Sequence, residues 1–237
     1  MKVLIIKNIS REGPGILLQL LDQYLINYDL IDISRDETIP DPINYNAMFV
    51  FGGPSSANDT TQRMTNELAK IKTAVNSQIP YFGFCLGMQT LVKAVGGKVL
   101  KNSIPEIGWK DNNDKYYSID LTTTGMRDAL FSGLASPLPI FQLHGETVEL
   151  TPNMKILATG KHCKIQVIKV GEKAYGTQGH PELIDEMFEL WRSEDDDLKK
   201  LDKYKLRSDW HRIKNEYETN GKRLLTNFLK IANLVSI

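Results

Sequence analysis

The segment Pro80-Tyr81-Phe82-Gly83-Phe84-Cys85-Leu86-Gly87 runs from an apolar stretch straight into a helical pattern that continues to Val95. A short, continuous apolar run is typical of a strand that is buried on both faces of a parallel sheet. Cys85 stands at the junction, and the flanking glycines allow a sharp turn that lifts its side chain above the carboxyl edge of the sheet. Because the start of the following helix favours a thiolate, we predict that Cys85 is a nucleophile.

Strands and helices alternate throughout the first hundred residues. Apolar runs predict strands over 3–6, 28–33, 47–51 and 80–84. Apolar residues at helical spacing predict a helix over 15–26, and two further helices are predicted, a polar one over 61–76 and one over 86–95. This is the pattern of βα units that build an open, mainly parallel α/β sheet with helices on both faces.

The pattern changes after Gly96-Gly97. Short runs between Gly and Pro turns predict an added antiparallel region, with strands over 98–100, 116–121, 140–143, 155–158, 163–170 and 173–178. Apolar stripes from about residue 183 onward predict a helical C-terminal extension that completes the helical layer. The densely charged segment 193–203 is interpreted as solvated surface. We see no linker or internal repeat and expect residues 1–237 to form a single domain.

The composition is balanced, with 29 Lys and Arg against 29 Asp and Glu. A net charge of zero provides no electrostatic reason to expect nucleic acid or an anionic membrane as a partner. No apolar run approaches the ~20 residues that cross a bilayer, and no secretory leader precedes the first strand. We therefore expect a cytoplasmic protein with two free thiols, Cys85 and Cys163.

The sequence predicts neither a metal site nor a cofactor. His162 and Cys163 lack the partner spacing of a metal site, and Cys163 is interpreted as packed within a strand. The acidic run 194–197 lacks the alternating ligands and the glycine of a calcium loop. We interpret it as an acidic face that is exposed to solvent.

A cysteine nucleophile needs a base, and the base needs a group that orients it. Gly179-His180-Pro181-Glu182 supplies both directly after the predicted strand 173–178. If that strand ends beside the strand that precedes Cys85, the carboxylate can hold the imidazole and stabilise its charged form. We predict His180 as the acid and base and Glu182 as its orienting residue.

The attacked carbonyl develops negative charge, which requires N–H donors that are already in place. Two sources are predicted: the amide of Leu86 after the nucleophile, and the Gly52-Gly53-Pro54 turn after the strand 47–51. Adjacent strands of a parallel sheet would bring these two turns together.

Several separated segments, in this order, resemble the motifs of class I glutamine amidotransferases. The resemblance spans roughly residues 1 to 190 and rests on Phe51-Gly52-Gly53-Pro54, Phe82-Gly83-Phe84-Cys85-Leu86-Gly87-Met88-Gln89, Phe141-Gln142-Leu143-His144-Gly145-Glu146 and Gln178-Gly179-His180-Pro181-Glu182. Pro105-Glu106-Ile107-Gly108-Trp109 also resembles a segment of stand-alone members related to the glutaminase part of GMP synthetase.

The resemblance implies an open, mainly parallel, flavodoxin-like sheet and a Cys–His–Glu triad that cleaves glutamine through a γ-glutamyl thioester and releases ammonia. Matched position by position, Cys85, His180 and Glu182 form the triad, and Gly53 and Leu86 donate the oxyanion amides. Gln89 would contact the bound glutamine. The backbone around Leu143, His144 and Gly145 would hold the amino-acid end of the substrate, with His144 in a positioning role.

The substrate and the partner remain alternatives. Gly179 stands where many members carry a bulky aromatic residue, and Gln-Gly-His-Pro-Glu also resembles relatives that act on γ-glutamyl peptides. The chain carries no synthetase half and no P-loop, so either a separate synthase receives the ammonia or hydrolysis is the whole reaction. A non-enzymatic regulatory module is a third alternative, although such modules usually lack a triad residue.

Overall fold

The computed structural model describes residues 1–236, and a central sheet organises the chain. One half of this sheet consists of five parallel strands, whose spatial order is β2 (Asn27–Asp32), β1 (Lys2–Lys7), β3 (Ala47–Val50), β4 (Tyr81–Phe84) and β11 (Ala174–Thr177). The mainly parallel α/β sheet predicted from the alternating pattern is confirmed.

The other half of the sheet is antiparallel. It continues from β11 through β10 (Val167–Val170), β9 (Met154–Thr159), β6 (Ser118–Leu121) and β7 (Leu138–Pro139). A separate two-stranded antiparallel sheet pairs β5 (Lys98–Gly108) with β8 (Gln142–Glu149). The added antiparallel region is therefore present, but two of its strands leave the central sheet.

Helices cover both faces of the parallel half. They are α1 (Ile16–Gln23), α2 (Gln62–Asn76), α3 (Leu86–Ala94), α4 (Asp185–Glu194) and α5 (Lys203–Ile231). Successive side chains of a strand point to opposite faces, so Val3 and Ile5 of β1 pack in the core with α1 and α5. Leu4 and Ile6 pack instead in the core with α2 and α3.

The C-terminal helix α5 is part of the core. Phe228 lies edge-on to Phe49 of β3 and to Phe82 of β4, with ring centroids 5.3 and 5.0 Å apart. Nearer its start, Trp210 stacks on Trp109, which follows β5, at 5.1 Å. The apolar residues of α5 therefore pack against the sheet and against Trp109.

Three predicted strands differ from the observed ones. The strand predicted at 98–100 extends to Gly108, because a register shift between Lys101 and Glu106 interrupts its periodicity without ending its pairing with β8. The strand predicted at 140–143 begins only at Gln142 and runs to Glu149. The strand predicted at 163–170 begins at Val167, so Cys163 lies in the preceding turn.

The charged segment 193–203 is not wholly solvated, so that prediction is wrong in part. Leu198 is buried, and the mostly buried side chain of Asp195 forms an ion pair with Arg11, N to O 2.6 Å. This contact spans 184 residues and has no local signature. Within residues 1–236, none of the helices combines the length and the apolar composition that crossing a membrane requires.

Candidate active site

Cys85 occupies a strained turn between β4 and α3. Its backbone φ of 49° and ψ of −106° lie where residues other than glycine are uncommon, and its N–H donates to the Thr177 carbonyl of β11 at 2.8 Å. The flanking glycines are needed for close approach. A β-carbon at Gly83 would lie 2.3 Å from the Gly87 oxygen, and one at Gly87 would lie 2.1 Å from the Val50 oxygen.

His180 and Glu182 meet in the turn that follows β11. His180 Nδ1 lies 2.9 Å from Glu182 Oε1, and both side chains are about 1% exposed. Strands β4 and β11 are parallel neighbours, with Phe84 paired to Thr177, so both turns lie at the same edge of the sheet. The structure thus brings the three predicted triad residues together.

The charge state of His180 follows from its neighbours. Burial lowers the pKa of His180, but the Glu182 carboxylate and the Cys85 sulfur raise it, and the net pKa lies well above the usual 6.5. No hydrogen bond of standard geometry joins Nε2 to the sulfur, and Nε2 has no other partner among the described residues. The arrangement therefore favours an imidazolium beside the Cys85 sulfur.

Two further groups contact the Cys85 sulfur. The Cys85 thiol lies 3.7 Å from the Leu143 carbonyl of β8, which can accept a hydrogen bond from it. The Gln178 side-chain amide lies at the same distance and donates to the sulfur, while its oxygen accepts from Gln89 Nε2 at 3.3 Å. The sequence motifs did not predict this contact between Gln178 and the Cys85 sulfur.

The two predicted oxyanion donors lie at the ends of neighbouring strands. Strands β3 and β4 pair in parallel with Val50 opposite Gly83, so the Gly52-Gly53 turn and Leu86 share one edge of the sheet. Leu86 is the first residue of α3, where a backbone N–H has no partner within the helix. Gly53 lies against Asn8, whose β-carbon would be 2.7 Å from a side chain at that position.

A buried carboxyl supports the Gly52-Gly53 turn from behind. Asn8 Nδ2 donates to the Phe51 carbonyl at 3.2 Å and to Glu67 Oε1 at 3.0 Å. Glu67 is fully buried, and burial raises its pKa to about 7. Its other oxygen has no hydrogen-bond partner among the described residues, so the protonated form is the less costly one in this position.

The predicted substrate residues of β8 line the cavity. Both ring nitrogens of His144, however, are already in contact with oxygen atoms of the protein. Its Nε2 lies 2.9 Å from Glu106 Oε2 of β5, and its Nδ1 lies 2.9 Å from the Glu146 carbonyl. Both nitrogens therefore face oxygen acceptors, which hold the ring and the adjoining backbone of Leu143 and Gly145. This geometry agrees with a positioning role for His144.

Glu106, His144 and Cys163 also form a compact cluster of metal-ligand types, with donor atoms within 4.8 Å of one another. Hydrogen bonds already account for these atoms: Glu106 accepts from Gln166 at 2.8 Å, and the Cys163 sulfur lies 3.2 Å from the Thr147 hydroxyl. Burial raises the pKa of the Cys163 thiol, which disfavours the thiolate that a metal needs. The sequence did not predict that Cys163 would face these residues.

A cavity of about 480 Å³ opens above Cys85. Predicted residues in its lining are Gly53, Cys85, Gln89, Leu143, His144 and Gly145. Arg11, Glu12, Asp195 and Asp197 also line it and were not predicted. A larger cavity of about 540 Å³ beside α2 lacks any cysteine or histidine in its lining, so the smaller cavity is the candidate active site.

Gly179 has a packing explanation. A β-carbon there would lie 2.3 Å from the Ile140 side chain and 2.9 Å from the Phe141 carbonyl. That carbonyl also accepts the His180 N–H at 3.0 Å, and Tyr217 of α5 donates its hydroxyl to the His180 carbonyl. The packing thus leaves no room for a larger side chain at position 179 unless Ile140 and Phe141 shift.

Comparison with known proteins agrees with this architecture. Over residues 16–189 the sequence matches the family described as glutamine amidotransferase class-I. The putative glutamine amidotransferase-like protein YfeJ of Salmonella typhimurium is 29% identical over 196 residues, which cover 80% of this chain and 79% of that protein. A glutamine-hydrolyzing GMP synthase subunit of Methanococcus maripaludis is 37% identical over 112 residues, which cover 46% of this chain and 54% of the relative.

Two solved structures share the fold. A glutamine amidotransferase from Thermotoga maritima superposes with a TM-score of 0.85 at 23% identity and covers 98% of both chains. A glutamine amido transferase from Methylobacillus flagellatus superposes with a TM-score of 0.83 at 25% identity and covers 97% of this chain and 94% of its own. With the family match extending over residues 16–189, the chain belongs to the class I glutamine amidotransferase family.

Proposed function

We propose that this protein hydrolyses the γ-amide of glutamine through a covalent thioester at Cys85. One observation carries the proposal. The Cys85 thiol, on a strained turn, lies beside the buried pair of His180 and Glu182, whose side chains are hydrogen-bonded at 2.9 Å. Membership of the class I glutamine amidotransferase family supports glutamine amide hydrolysis in general. The roles of individual residues are proposed from their contacts in the site.

In the proposed reaction, the Cys85 thiolate attacks the amide carbon and forms the carbon–sulfur bond. The negative charge that develops on the amide oxygen is stabilised by the backbone N–H groups of Gly53 and Leu86. His180 then donates its proton to the nitrogen as the carbon–nitrogen bond breaks, and ammonia leaves. A water molecule, deprotonated by His180, hydrolyses the thioester to glutamate and regenerates the thiol.

Substrate contacts are proposed for one side of the cavity. The Gln89 amide donates to Gln178 Oε1 and to the Glu146 carbonyl, and Gln89 lines the same cavity as Cys85, one helical turn along α3. Backbone groups of Leu143, His144 and Gly145 would hold the amino-acid end of the substrate, and the Glu106–His144 contact would keep that backbone in place.

The relatives suggest a destination for the ammonia. Several relatives are named as GMP synthases. The chain spans only 20% of the Borreliella burgdorferi GMP synthase and 54% of the Methanococcus relative. We propose that a separate synthase receives the ammonia in the cytoplasm, where a free thiol at Cys85 persists.

A γ-glutamyl peptide is the second candidate substrate. The cavity of about 480 Å³ lies in the range that accommodates drug-sized ligands and exceeds what one glutamine fills. With such a substrate, the same thioester chemistry would release an amine or a peptide, and no synthase would be needed.

The test is a mass-spectrometric assay of the purified chain with glutamine and a panel of γ-glutamyl dipeptides. We expect glutamate to form from at least one of these, and Cys85→Ala to abolish its formation while Cys163→Ala retains it. If wild-type protein cleaves none of them at high enzyme concentration and a glutamine-mimicking electrophile fails to label Cys85, hydrolysis is wrong and a regulatory role replaces it.

A further inference from the structure

We propose that Glu12 makes the site selective for nitrogen leaving groups, because its carboxyl accepts a hydrogen bond from the N–H of the scissile amide. This inference rests on the proposed amide hydrolysis and adds a residue outside the triad. Glu12 would contact the substrate itself, at the leaving nitrogen and not at the attacked carbon.

Glu12 lies in the loop between β1 and α1, at the same edge of the sheet as Cys85. Its side chain is only 5% exposed, yet it lines the cavity above the nucleophile. Its Oε2 has no hydrogen-bond partner among the described residues. A buried carboxyl oxygen without a partner is costly, on the order of 1–3 kcal/mol, unless a ligand satisfies it.

Gly52 shows how closely Glu12 approaches the reacting groups. The point that a β-carbon would occupy at Gly52 lies 2.2 Å from Glu12 Oε2, 3.2 Å from His180 Cε1 and 3.3 Å from Cys85 Cβ. Three side chains from three separate loops therefore converge around one backbone position. The absence of a side chain at Gly52 is what leaves room for the carboxyl beside the imidazole.

Glu12 Oε2 and His180 Nε2 are among the buried polar atoms that have no hydrogen-bond partner within residues 1–236. The imidazole donates a proton to the leaving atom, whereas the carboxylate can only accept a hydrogen bond. An amide nitrogen meets both requirements, because it carries an N–H and gains a lone pair as the carbon–nitrogen bond breaks. An ester oxygen can take the proton but has no hydrogen to offer Glu12.

The charged surroundings keep Glu12 available for such a contact. Arg11, its neighbour in the loop, is paired with Asp195 after α4. Burial is the largest influence on the pKa of Glu12 and raises it to about 7. The charges of His180 and Arg11 lower this pKa, whereas those of Glu182 and Asp195 raise it. The carboxylate is therefore populated at neutral pH and predominates above it.

The test compares an amide with an ester that share the same acyl group. Values of kcat/KM for glutamine and for the γ-methyl ester of glutamate report the steps up to the thioester, which is common to both. Glu12→Met has similar length and no acceptor. We expect it to lower kcat/KM for glutamine on the order of 10- to 100-fold and to leave the ester within about threefold, whereas a purely structural role would lower both equally.

Glu12→Gln keeps an acceptor oxygen, so its ratio of amide to ester cleavage should fall in the same direction but less. This variant carries the test if Glu12→Met does not fold. Glu172→Met, an exposed glutamate in the turn before β11, is the matched control and should change neither value. If glutamine is not the amide substrate, a γ-glutamyl dipeptide replaces it, since its amide also carries an N–H.

The outcomes separate this inference from the proposed function. A wild-type enzyme that cleaves both substrates, with an unchanged amide-to-ester ratio in both Glu12 variants, overturns the role of Glu12 and leaves amide hydrolysis standing. A wild-type protein that cleaves neither substrate overturns both. A selective loss of amide cleavage supports both.

Discussion

His180 and Glu182 meet side chain to side chain across Pro181, with Nδ1 2.9 Å from Oε1, in a turn outside any helix or strand. The contact needs no long-range assembly, because only one residue separates the partners. What the tertiary structure adds is burial, which makes the carboxylate the main group that stabilises a charged imidazole. The pair is therefore encoded locally, whereas its charge state is set by the fold around it.

Glu182→Gln should shift the reactivity of the site towards acid. Removing the carboxylate charge lowers the pKa of His180, so the imidazolium loses its proton at lower pH. The decline of kcat/KM on the alkaline side of the profile should therefore begin at a lower pH. We also expect kcat/KM to fall by about 100-fold or more, since the imidazole loses its orienting group. The measurement is the pH profile of glutamate release, with the exposed Glu186→Gln as control. An unshifted alkaline limb would contradict the assignment.

A glutamine-mimicking electrophile should label Cys85 and spare Cys163. The Cys85 sulfur lines the open cavity, whereas Cys163 is buried, its pKa is raised by burial, and its thiol contacts Thr147 and the Ile165 carbonyl. Peptide mapping after labelling should show modification in wild type and in Cys163→Ala, and none in Cys85→Ala. Equal labelling of both thiols would sink this prediction.

Gly52→Ala should inactivate the enzyme with little loss of fold. The added methyl would stand 2.2 Å from Glu12 Oε2 and 3.2 Å from the His180 ring, so both side chains must move. A displacement of about 1 Å at reacting groups costs on the order of 100-fold in rate. Gly13→Ala is the matched control, because a methyl there meets nothing within 4 Å. Comparable activity of the two variants would refute the close approach.

Glu67→Gln should stabilise the protein at alkaline pH. The folded pKa of Glu67, about 7, lies above its unfolded value of 4.5, so the wild type loses stability as pH rises from 4.5 to 7 and carries the full penalty above 7. The variant removes a penalty of roughly 3 kcal/mol at pH 8 and none below pH 4.5. Urea unfolding at pH 8 and pH 4.5 measures the difference. A gain of equal size at both pH values would show that ionisation is not the cause.

Phe228→Ala should destabilise the whole chain and not α5 alone. The ring is fully buried against Phe49, Phe82 and Tyr175, and removal of such a side chain costs about 3–5 kcal/mol. If residues 1–236 form one cooperative unit, α5 and the sheet unfold in a single transition at a lower temperature. Leu201→Ala, at a more exposed position before α5, should have a small effect. Two separate transitions in calorimetry would show that the extension folds independently.

The local pattern predicts the parallel half of the fold well, because each element carries its own signal. The apolar run before Cys85, the glycines around it and the helical spacing after it lie within about fifteen residues. The antiparallel region is harder to predict. The register shift within β5 interrupts the alternation, and no residue between 98 and 149 indicates that β5 and β8 leave the central sheet.

The sequence by itself determined the residues that adjacency can encode: the turn at Cys85, the His180–Glu182 pair and the strands that precede them. Only the tertiary structure decided what surrounds them. The Arg11–Asp195 ion pair and the position of Glu12 beside Gly52 join loops far apart in the chain. Hydrophobic periodicity indicates which face of a helix or strand is buried, but it does not indicate which distant side chain contacts that face. Contacts of this kind depend on strand order and helix packing, and these are set by the whole core.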